Sequence, residues 1–191
     1  KKYIFLVCMK IGIIGGSGYV GTILTKLLSN HKKVKLKIIT RNPKTKDNGD
    51  SFDKFDYSKL NNLDIVFLTL PHGTAKNIAK KIKCKIIDLS SDHRQTETYG
   101  LPEIFSEKIK KSKIVANPGC YATACILSVY PINDFVKYIV FDCISGYSGG
   151  GKNHGYDYES NIITYKLTNH PHITELSKII KSKFSFTPHV V

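Results

Sequence analysis

A glycine-rich turn near the start of the chain constrains the fold more than any other sequence feature. Residues Lys10 to Ile14 predict a short strand, and the segment Gly16 to Gly21 follows it with the spacing G-x-G-x-x-G. Apolar residues then recur every three or four positions, as in an amphipathic helix: Val20, Ile23, Leu24, Leu27 and Leu28. Such a turn brings backbone N–H groups up to a pyrophosphate at the start of a helix. The pattern therefore predicts a dinucleotide-binding strand–turn–helix unit.

The rest of the first part alternates strands with helices. Strands are predicted over Val34–Thr40, Ile65–Leu68, Lys85–Leu89 and Lys113–Ala116, and helices over Pro71 to about Ile82 and Tyr121 to Val129. This alternation favours parallel strands joined by right-handed crossovers. Residues 9–117 are therefore predicted to form an α/β domain with a doubly wound parallel sheet.

The pattern changes after Lys137. A longer strand is predicted over Tyr138–Ser145, then a glycine-rich loop from Gly146 to Gly151, a helix from about Ile173 to Lys181, and a strand from Phe184. Residues 118–191 are predicted to form an α+β domain that the chain leaves incomplete. The only methionine, Met9, is read as the natural start, and residues 1–8 as a non-native N-terminal extension.

The net charge of +14, from 29 Lys and Arg against 15 Asp and Glu, raises the question of nucleic-acid binding. Its distribution argues against that function. The lysines occur singly or in pairs among Ile and Asn, without a run of five or six basic residues. The apolar stretch Tyr3 to Val7 is much shorter than the roughly 20 residues that cross a bilayer. Neither a nucleic acid nor a membrane is predicted as a partner.

The five cysteines contain no C-x-x-C pair and are odd in number, which argues against a disulfide framework or a zinc site. A reducing cytoplasm is the expected compartment, and no metal is predicted. Cys84, Cys125 and Cys143 lie inside apolar runs and are interpreted as inert core residues.

Cys120 has a different context. The segment Asn117-Pro118-Gly119-Cys120-Tyr121 places its thiol between a strand end and a helix start. The helix dipole and free N–H groups there stabilise a thiolate. The same N–H groups are also candidates for an oxyanion hole. Cys120 is therefore the predicted nucleophile.

Two histidines, His170 and His172, flank Pro171 just before a predicted helix. A histidine held in this way can act as an acid or a base near neutral pH. Two other interpretations stay open: a pair of surface histidines, or a metal-binding pair for which the chain offers no convincing third ligand.

The end of the second predicted strand bears on the cofactor. NAD-binding domains usually carry Asp or Glu there to bind the ribose 2′-hydroxyl, whereas this chain has Thr40-Arg41-Asn42. A guanidinium suits a 2′-phosphate, so Arg41 favours NADP over NAD.

Seven motifs together give a specific resemblance. They are Gly15-Gly16-Ser17-Gly18-Tyr19-Val20-Gly21, Leu70-Pro71-His72-Gly73, Asp88-Leu89-Ser90-Ser91-Asp92-His93-Arg94, Tyr99-Gly100-Leu101-Pro102-Glu103, Asn117-Pro118-Gly119-Cys120-Tyr121-Ala122-Thr123, Ser145-Gly146-Tyr147-Ser148-Gly149-Gly150-Gly151-Lys152 and His170-Pro171-His172-Ile173-Thr174-Glu175-Leu176. In this order they resemble the N-acetyl-gamma-glutamyl-phosphate reductases of the aspartate-semialdehyde-dehydrogenase-like superfamily. Two positions are compared with the family pattern. This chain has Thr174 where the family usually has Pro, and it has Ala122 after the Cys-Tyr pair, where the family has Pro or Ala. Neither residue is expected to touch the reacting groups.

The resemblance implies a Rossmann NADP-binding domain followed by a catalytic and dimerisation domain, here cut short, with an antiparallel sheet and a homo-oligomeric assembly. Cys120 is the implied nucleophile, and one of His170 and His172 the acid/base, with His172 favoured. The implied cofactor residues are Gly15, Gly16, Ser17, Gly18, Tyr19, Val20, Gly21, Arg41, Pro71, His72, Ser145, Gly146, Ser148 and Gly149. The implied substrate-binding residues are Arg94, Asn117, Tyr121 and Lys152.

The implied reaction is the NADPH-dependent reduction of N-acetylglutamyl 5-phosphate to the semialdehyde plus phosphate, a step of arginine biosynthesis. It would proceed through a thioester on Cys120. Alternatives stay open at this point: an aminoadipate phosphate, free or carrier-protein-linked; aspartyl phosphate, which the Pro-Gly-Cys-Tyr context disfavours; or a catalytically dead dinucleotide-binding module.

Overall fold

The computed structural model describes residues 8–40, 52–60, 62–150 and 161–191 of the chain. The chain divides into two compact units: the first ends at Asn117, and the second extends from Pro118 to Val191. No helix among the described residues is long and apolar enough to span a membrane.

The described residues of the first unit form a seven-stranded, fully parallel sheet. Its strands are β1 (Met9–Ile14), β2 (Val34–Thr40), β3 (Phe52–Lys54), β4 (Ile65–Leu68), β5 (Lys85–Asp88), β6 (Thr98–Tyr99) and β7 (Ile114–Ala116), in the order β3-β2-β1-β4-β5-β7-β6. The order reverses between β1 and β4, and ligands of open α/β sheets bind at such a point, beyond the carboxyl ends of the strands. The predicted doubly wound α/β fold is confirmed.

In the part of this unit that the structure describes, the α-helices are α1 (Tyr19–Ser29), α2 (Ala75–Ala79) and α3 (Pro102–Lys111), and a short 3-10 helix lies at Tyr57–Leu60. The helix predicted from Pro71 to about Ile82 is much shorter, because Gly73 has a φ of +85° and turns the chain first. The sequence patterns did not predict α3, none of whose residues is fully buried.

The core lies at the centre of the sheet. Ile39 on β2, Val66 and Leu68 on β4, and Ile86 on β5 are fully buried, and they pack in one apolar cluster with Ala75 of α2. Each large side chain buried in this way stabilises the fold by roughly 1.5–3 kcal/mol. The strand predicted over Ile65–Leu68 is confirmed as β4, which lies between β1 and β5 in the sheet.

The described residues of the second unit form two α-helices and a smaller sheet. Its elements are α4 (Cys120–Val129), β8 (Tyr138–Ser145), β9 (Ile163–Thr164), α5 (Pro171–Leu176) and β10 (Lys183–Val190), with 3-10 helices at Tyr130–Ile132 and Tyr147–Gly150. The described strands lie in the order β8-β10-β9, and β10 is parallel to β8 but antiparallel to β9. The expected antiparallel sheet is therefore mixed, because the chain passes through β9 and α5 before it returns beside β8.

The two faces of β8 differ. Phe141 is buried on the inner face opposite Phe186 of β10. On the other face Tyr138, Val140 and Ile144 are 60–67% exposed. Asp142, with a side chain 72% exposed, is the polar member of this mostly apolar face. Exposed apolar side chains grouped in this way are typical of an interaction surface.

Candidate active site

The glycine turn after β1 is built so that only glycine fits at two of its positions. Gly15 has a φ of +91°, and a Cβ there would collide with the backbone of Thr69, which follows β4. A Cβ on Gly21 would collide with the carbonyl oxygen of Gly15 and the Cα of Gly16. The turn and the first residues of α1 are therefore packed backbone against backbone, as close approach to a ligand phosphate requires.

The start of α1 suits an anion. Gly18 is the N-cap residue, and no side chain among the described residues caps the helix. The Ser17 hydroxyl lies 2.9 Å from that of Thr40 and so ties the turn to the end of β2. Tyr19 and Val20, the next residues, are nearly half exposed. Because no described side chain caps it, the start of α1 can offer its first N–H groups to the phosphates of a dinucleotide.

The turn Pro71–Gly73 after β4 is anchored by the segment after β5. The Asp92 carboxylate accepts hydrogen bonds from the N–H groups of Gly73 at 2.6 Å and Ala75 at 2.9 Å. Partial burial alone would raise the pKa of Asp92, but the N–H donors of Gly73, Lys76 and Ala75 hold it below its usual value. His72 Nδ1 accepts from the N–H of Ser91 at 3.0 Å. Pro71 and His72, two predicted cofactor residues, therefore lie on a firmly held turn beyond β4.

Arg94 is 9% exposed, and its Nε donates to the carbonyl oxygen of Asn117 at 2.9 Å. A buried pair precedes it: Asp88 Oδ2 lies 2.6 Å from His93 Nδ1. The side chain of Asp88 also binds the N–H and hydroxyl of Ser90. This network fixes the turn that carries Arg94 and holds it to the end of β7. The roles of Arg94 and Asn117 in substrate binding stay predictions.

Two of the predicted site residues, Arg41 and Lys152, lie outside the described residues. The preference for NADP, as far as it depends on Arg41, stays a prediction.

In the second unit, Cys120 is the first residue of α4 and is exposed. Gly119 is the N-cap residue, and among the described residues no side chain caps this helix either. The N–H of Gly119, however, donates to Glu175 Oε2 at 2.9 Å. An oxyanion hole at this position would therefore use the first-turn N–H groups of α4 and not that of Gly119.

Glu175 joins the cysteine loop to His172. It is 2% exposed, and its second carboxylate oxygen, Oε1, lies 3.8 Å from His172 Nε2. The His172 ring also fills the space that a side chain at residue 119 would need. The carboxylate therefore contacts both the backbone before the thiol and the imidazole. The sequence reasoning missed Glu175 as a functional residue, although its i+3 spacing from His172 on α5 is the signal for such a pair.

His170 has a different environment. It is the N-cap residue of α5, and its Nδ1 accepts from the N–H of His172 at 3.2 Å. Its ring packs against Tyr121, Tyr165 and Phe186 at centroid distances of 5.3–5.7 Å. Burial lowers the pKa of His170 below its ordinary value. Because protonation at Nδ1 would break the cap, His170 is suited to a supporting role.

Tyr121 is 5% exposed, and its role in substrate binding stays a prediction. Its hydroxyl lies 2.8 Å from Ser145 Oγ at the end of β8. The remaining predicted residues beyond this strand are exposed: Gly146, Ser148 and Gly149. The structure thus brings Cys120, Tyr121, Ser145, His170 and His172 together within the second unit.

The other cysteines of the second unit have the properties of core residues. Cys125 Sγ lies 3.4 Å from Cys143 Sγ, and both cysteines are free. Burial raises the pKa of each thiol, and it does the same for Cys84 in the first unit. These thiols are protonated near neutral pH and are poor nucleophiles.

Comparisons with known proteins match both units of the chain to one family. The family model "Semialdehyde dehydrogenase, NAD binding domain" matches residues 10–112, and "Semialdehyde dehydrogenase, dimerisation domain" matches residues 120–191. Curated relatives named N-acetyl-gamma-glutamyl-phosphate reductase are 35% identical in Methanobrevibacter smithii, 37% in Methanococcus maripaludis and 34% in Halothermothrix orenii. Each alignment covers 95–96% of this chain and 66–68% of the relative. The chain thus spans about two thirds of the length of these relatives.

Among solved structures, aspartate semialdehyde dehydrogenase from Candida albicans, determined with NADP, is similar in fold. The TM-score is 0.70 at 15% identity, over 96% of this chain and 68% of the other. Both units are matched by family models, and several relatives exceed 30% identity over nearly the whole chain. The chain belongs to the semialdehyde dehydrogenase family.

Proposed function

We propose that this chain carries the nucleotide-binding and reacting groups of an NADPH-dependent acyl-phosphate reductase. Its proposed substrate is N-acetylglutamyl 5-phosphate, which would be reduced to the semialdehyde in arginine biosynthesis. The relatives named for this reaction support the substrate. The single observation that carries the chemistry is the exposed thiol of Cys120 beside a glycine that binds Glu175 and packs against His172.

The first half of the reaction needs a nucleophile and a leaving group. The Cys120 sulfur attacks the acyl carbon, the C–O bond to phosphate breaks, and phosphate leaves with the electron pair, which forms a thioester. Partial negative charge on the carbonyl oxygen would be stabilised by the first-turn N–H groups of α4, which no described side chain caps. Phosphate needs no added proton to leave, so this half depends mainly on the thiolate.

The second half needs an acid. When bound, NADPH supplies the hydride that reduces the thioester. His172 is the proposed acid/base: it takes the thiol proton before attack and returns a proton when the sulfur leaves. The buried carboxylate of Glu175, 3.8 Å from His172 Nε2, would stabilise the imidazolium between these events.

The substrate carries a phosphate and a carboxylate, so cationic and hydrogen-bonding groups are needed. Arg94 and Lys152 are the proposed cations, because each lies inside a motif of the resemblance. Asn117, at the end of β7, is a proposed further contact. Arg41 is the proposed partner of the cofactor 2′-phosphate.

The assembly proposed for the whole protein is a homo-oligomer in the cytoplasm, without nucleic acid or membrane as a partner. The match of residues 120–191 to a dimerisation-domain model supports the oligomer. So does the exposed apolar face of β8, formed by Tyr138, Val140 and Ile144, because a second copy would remove it from water.

The reverse reaction tests the proposal. The protein is incubated with N-acetylglutamate semialdehyde, phosphate and NADP, and reduced cofactor is followed by its absorbance. We expect turnover that requires phosphate and that is at least about tenfold more efficient with NADP than with NAD, because Arg41 replaces the usual acidic residue. Faster turnover of an aminoadipate or aspartate semialdehyde would contradict the proposed substrate. Absence of turnover with all three aldehydes would contradict the proposed chemistry.

A further inference from the structure

We infer that Tyr121 is a positioning residue that holds the imidazoles of His170 and His172 in register with the Cys120 thiol. This inference rests on the proposed function, since it assigns a role within the same site. Its evidence is independent of the substrate: it consists of contacts of one buried side chain within the second unit.

The Tyr121 hydroxyl is anchored to the sheet. It donates to the backbone carbonyl oxygen of His189 on β10 at 2.5 Å. It also lies 2.8 Å from Ser145 Oγ at the end of β8 and 3.4 Å from the hydroxyl of Tyr165. A buried hydroxyl with several partners can occupy only a narrow range of positions, because any movement leaves polar groups unpaired. The sheet thus fixes the far end of the ring.

The Tyr121 ring is in turn the surface against which the histidines pack. Its centroid lies 5.7 Å from that of His170 and 5.7 Å from that of His172, with interplanar angles near perpendicular at 72° and 69°. The two imidazoles pack against each other at 4.6 Å. Edge-to-face contacts of this kind favour one ring orientation over others. The position of Tyr121 therefore sets the position of both imidazoles.

Tyr121 is also joined to the nucleophile by a peptide bond. Cys120 and Tyr121 are the first two residues of α4, so any shift of the tyrosine relative to the sheet is transmitted to the cysteine backbone. The side chain buries 95% of its surface, yet it carries a polar end that an apolar core residue would not need. This combination is expected of a residue selected to orient its neighbours.

The test measures Cys120 without any substrate or cofactor. The rate at which iodoacetamide alkylates Cys120 is measured across neutral and mildly alkaline pH in wild type, Tyr121→Phe and His172→Asn. We expect His172→Asn to lower the rate near neutral pH, because the imidazole no longer takes the proton of the thiol. We expect Tyr121→Phe, which keeps the ring but loses its anchors, to lower the rate near neutral pH as well. In the reductase assay its kcat should fall about tenfold with little change in KM.

The matched control is Tyr130→Phe, because Tyr130 lies just after α4 and is 45% exposed; its profile should coincide with that of wild type. Ser145→Ala removes one hydroxyl contact of Tyr121 without changing the ring. It should lower the alkylation rate less than Tyr121→Phe does, and it provides the test if Tyr121→Phe does not fold. If the profiles of Tyr121→Phe and Ser145→Ala both coincide with wild type, the inference is overturned. That result is separate from failure of the proposed function, since alkylation needs no turnover.

Discussion

Replacement of Cys120 by serine is expected to lower kcat for the proposed reductase reaction by at least about 10³-fold. A serine hydroxyl stays protonated near neutral pH and is a much weaker nucleophile, so the covalent step is lost. The side chain is exposed at the start of α4, so the fold should not change. The measurement is steady-state turnover of wild type and variant, with thermal unfolding as a check on the fold.

Cys84→Ser is the control for this loss. Cys84 is a half-buried thiol whose pKa is raised by burial, and it lies outside the proposed site. Its replacement should leave kcat within about twofold of wild type, even if it slightly lowers the free energy of unfolding. If Cys120→Ser retained a tenth or more of the wild-type activity, the thioester mechanism would be wrong.

Gly119→Ala is expected to have the second-largest effect, a fall in kcat on the order of 10²-fold. A Cβ at this position would collide with Nε2, Cδ2 and Cε1 of the His172 ring. The imidazole would then have to swing away from the cysteine loop and from Glu175. A displacement of about 1 Å at a reacting centre can cost this much in rate. The single added methyl group tests whether the contact between residue 119 and His172 matters for the chemistry.

Two measurements distinguish this result from simple misfolding. The thiol of Cys120 in Gly119→Ala should still react with one equivalent of iodoacetamide, because it lies on the exposed side of the turn. Ser128→Ala, an exposed change on the same helix, should leave kcat unaffected. If the kcat of Gly119→Ala were within about threefold of the wild-type value, His172 would not be the acid/base in this position.

Much of the nucleotide-binding unit could be predicted because its signals are local. The glycine turn, the apolar run Ile65–Leu68 and the alternating segment Val34–Thr40 each specify their own conformation, and the structure confirms all three. The strands β3 and β6 and the helix α3 were not predicted; they are short or polar and depend on neighbours for their position. The expected extent of α5 was wrong at both ends, since it begins at Pro171 under the cap of His170 and ends at Leu176.

The candidate site was predicted less completely, for a physical reason. Cys120, His170 and His172 carry recognisable side chains in recognisable contexts, so sequence reasoning found them. Glu175 was missed because its role depends on a contact with Gly119, 56 residues away in the chain. The central position of Tyr121 likewise depends on Ser145 and His189, which only the folded sheet brings beside it.

The most direct test of the central claim is to look for the covalent intermediate in the absence of NADPH. The protein is mixed with N-acetylglutamyl 5-phosphate, quenched in acid to preserve thioesters, digested and analysed by mass spectrometry, while released phosphate is measured in parallel. We expect one N-acetylglutamyl group on the peptide that contains Cys120, one equivalent of phosphate per chain, and neither in Cys120→Ser. An unmodified Cys120 peptide, or phosphate release that is the same in Cys120→Ser, would contradict the account.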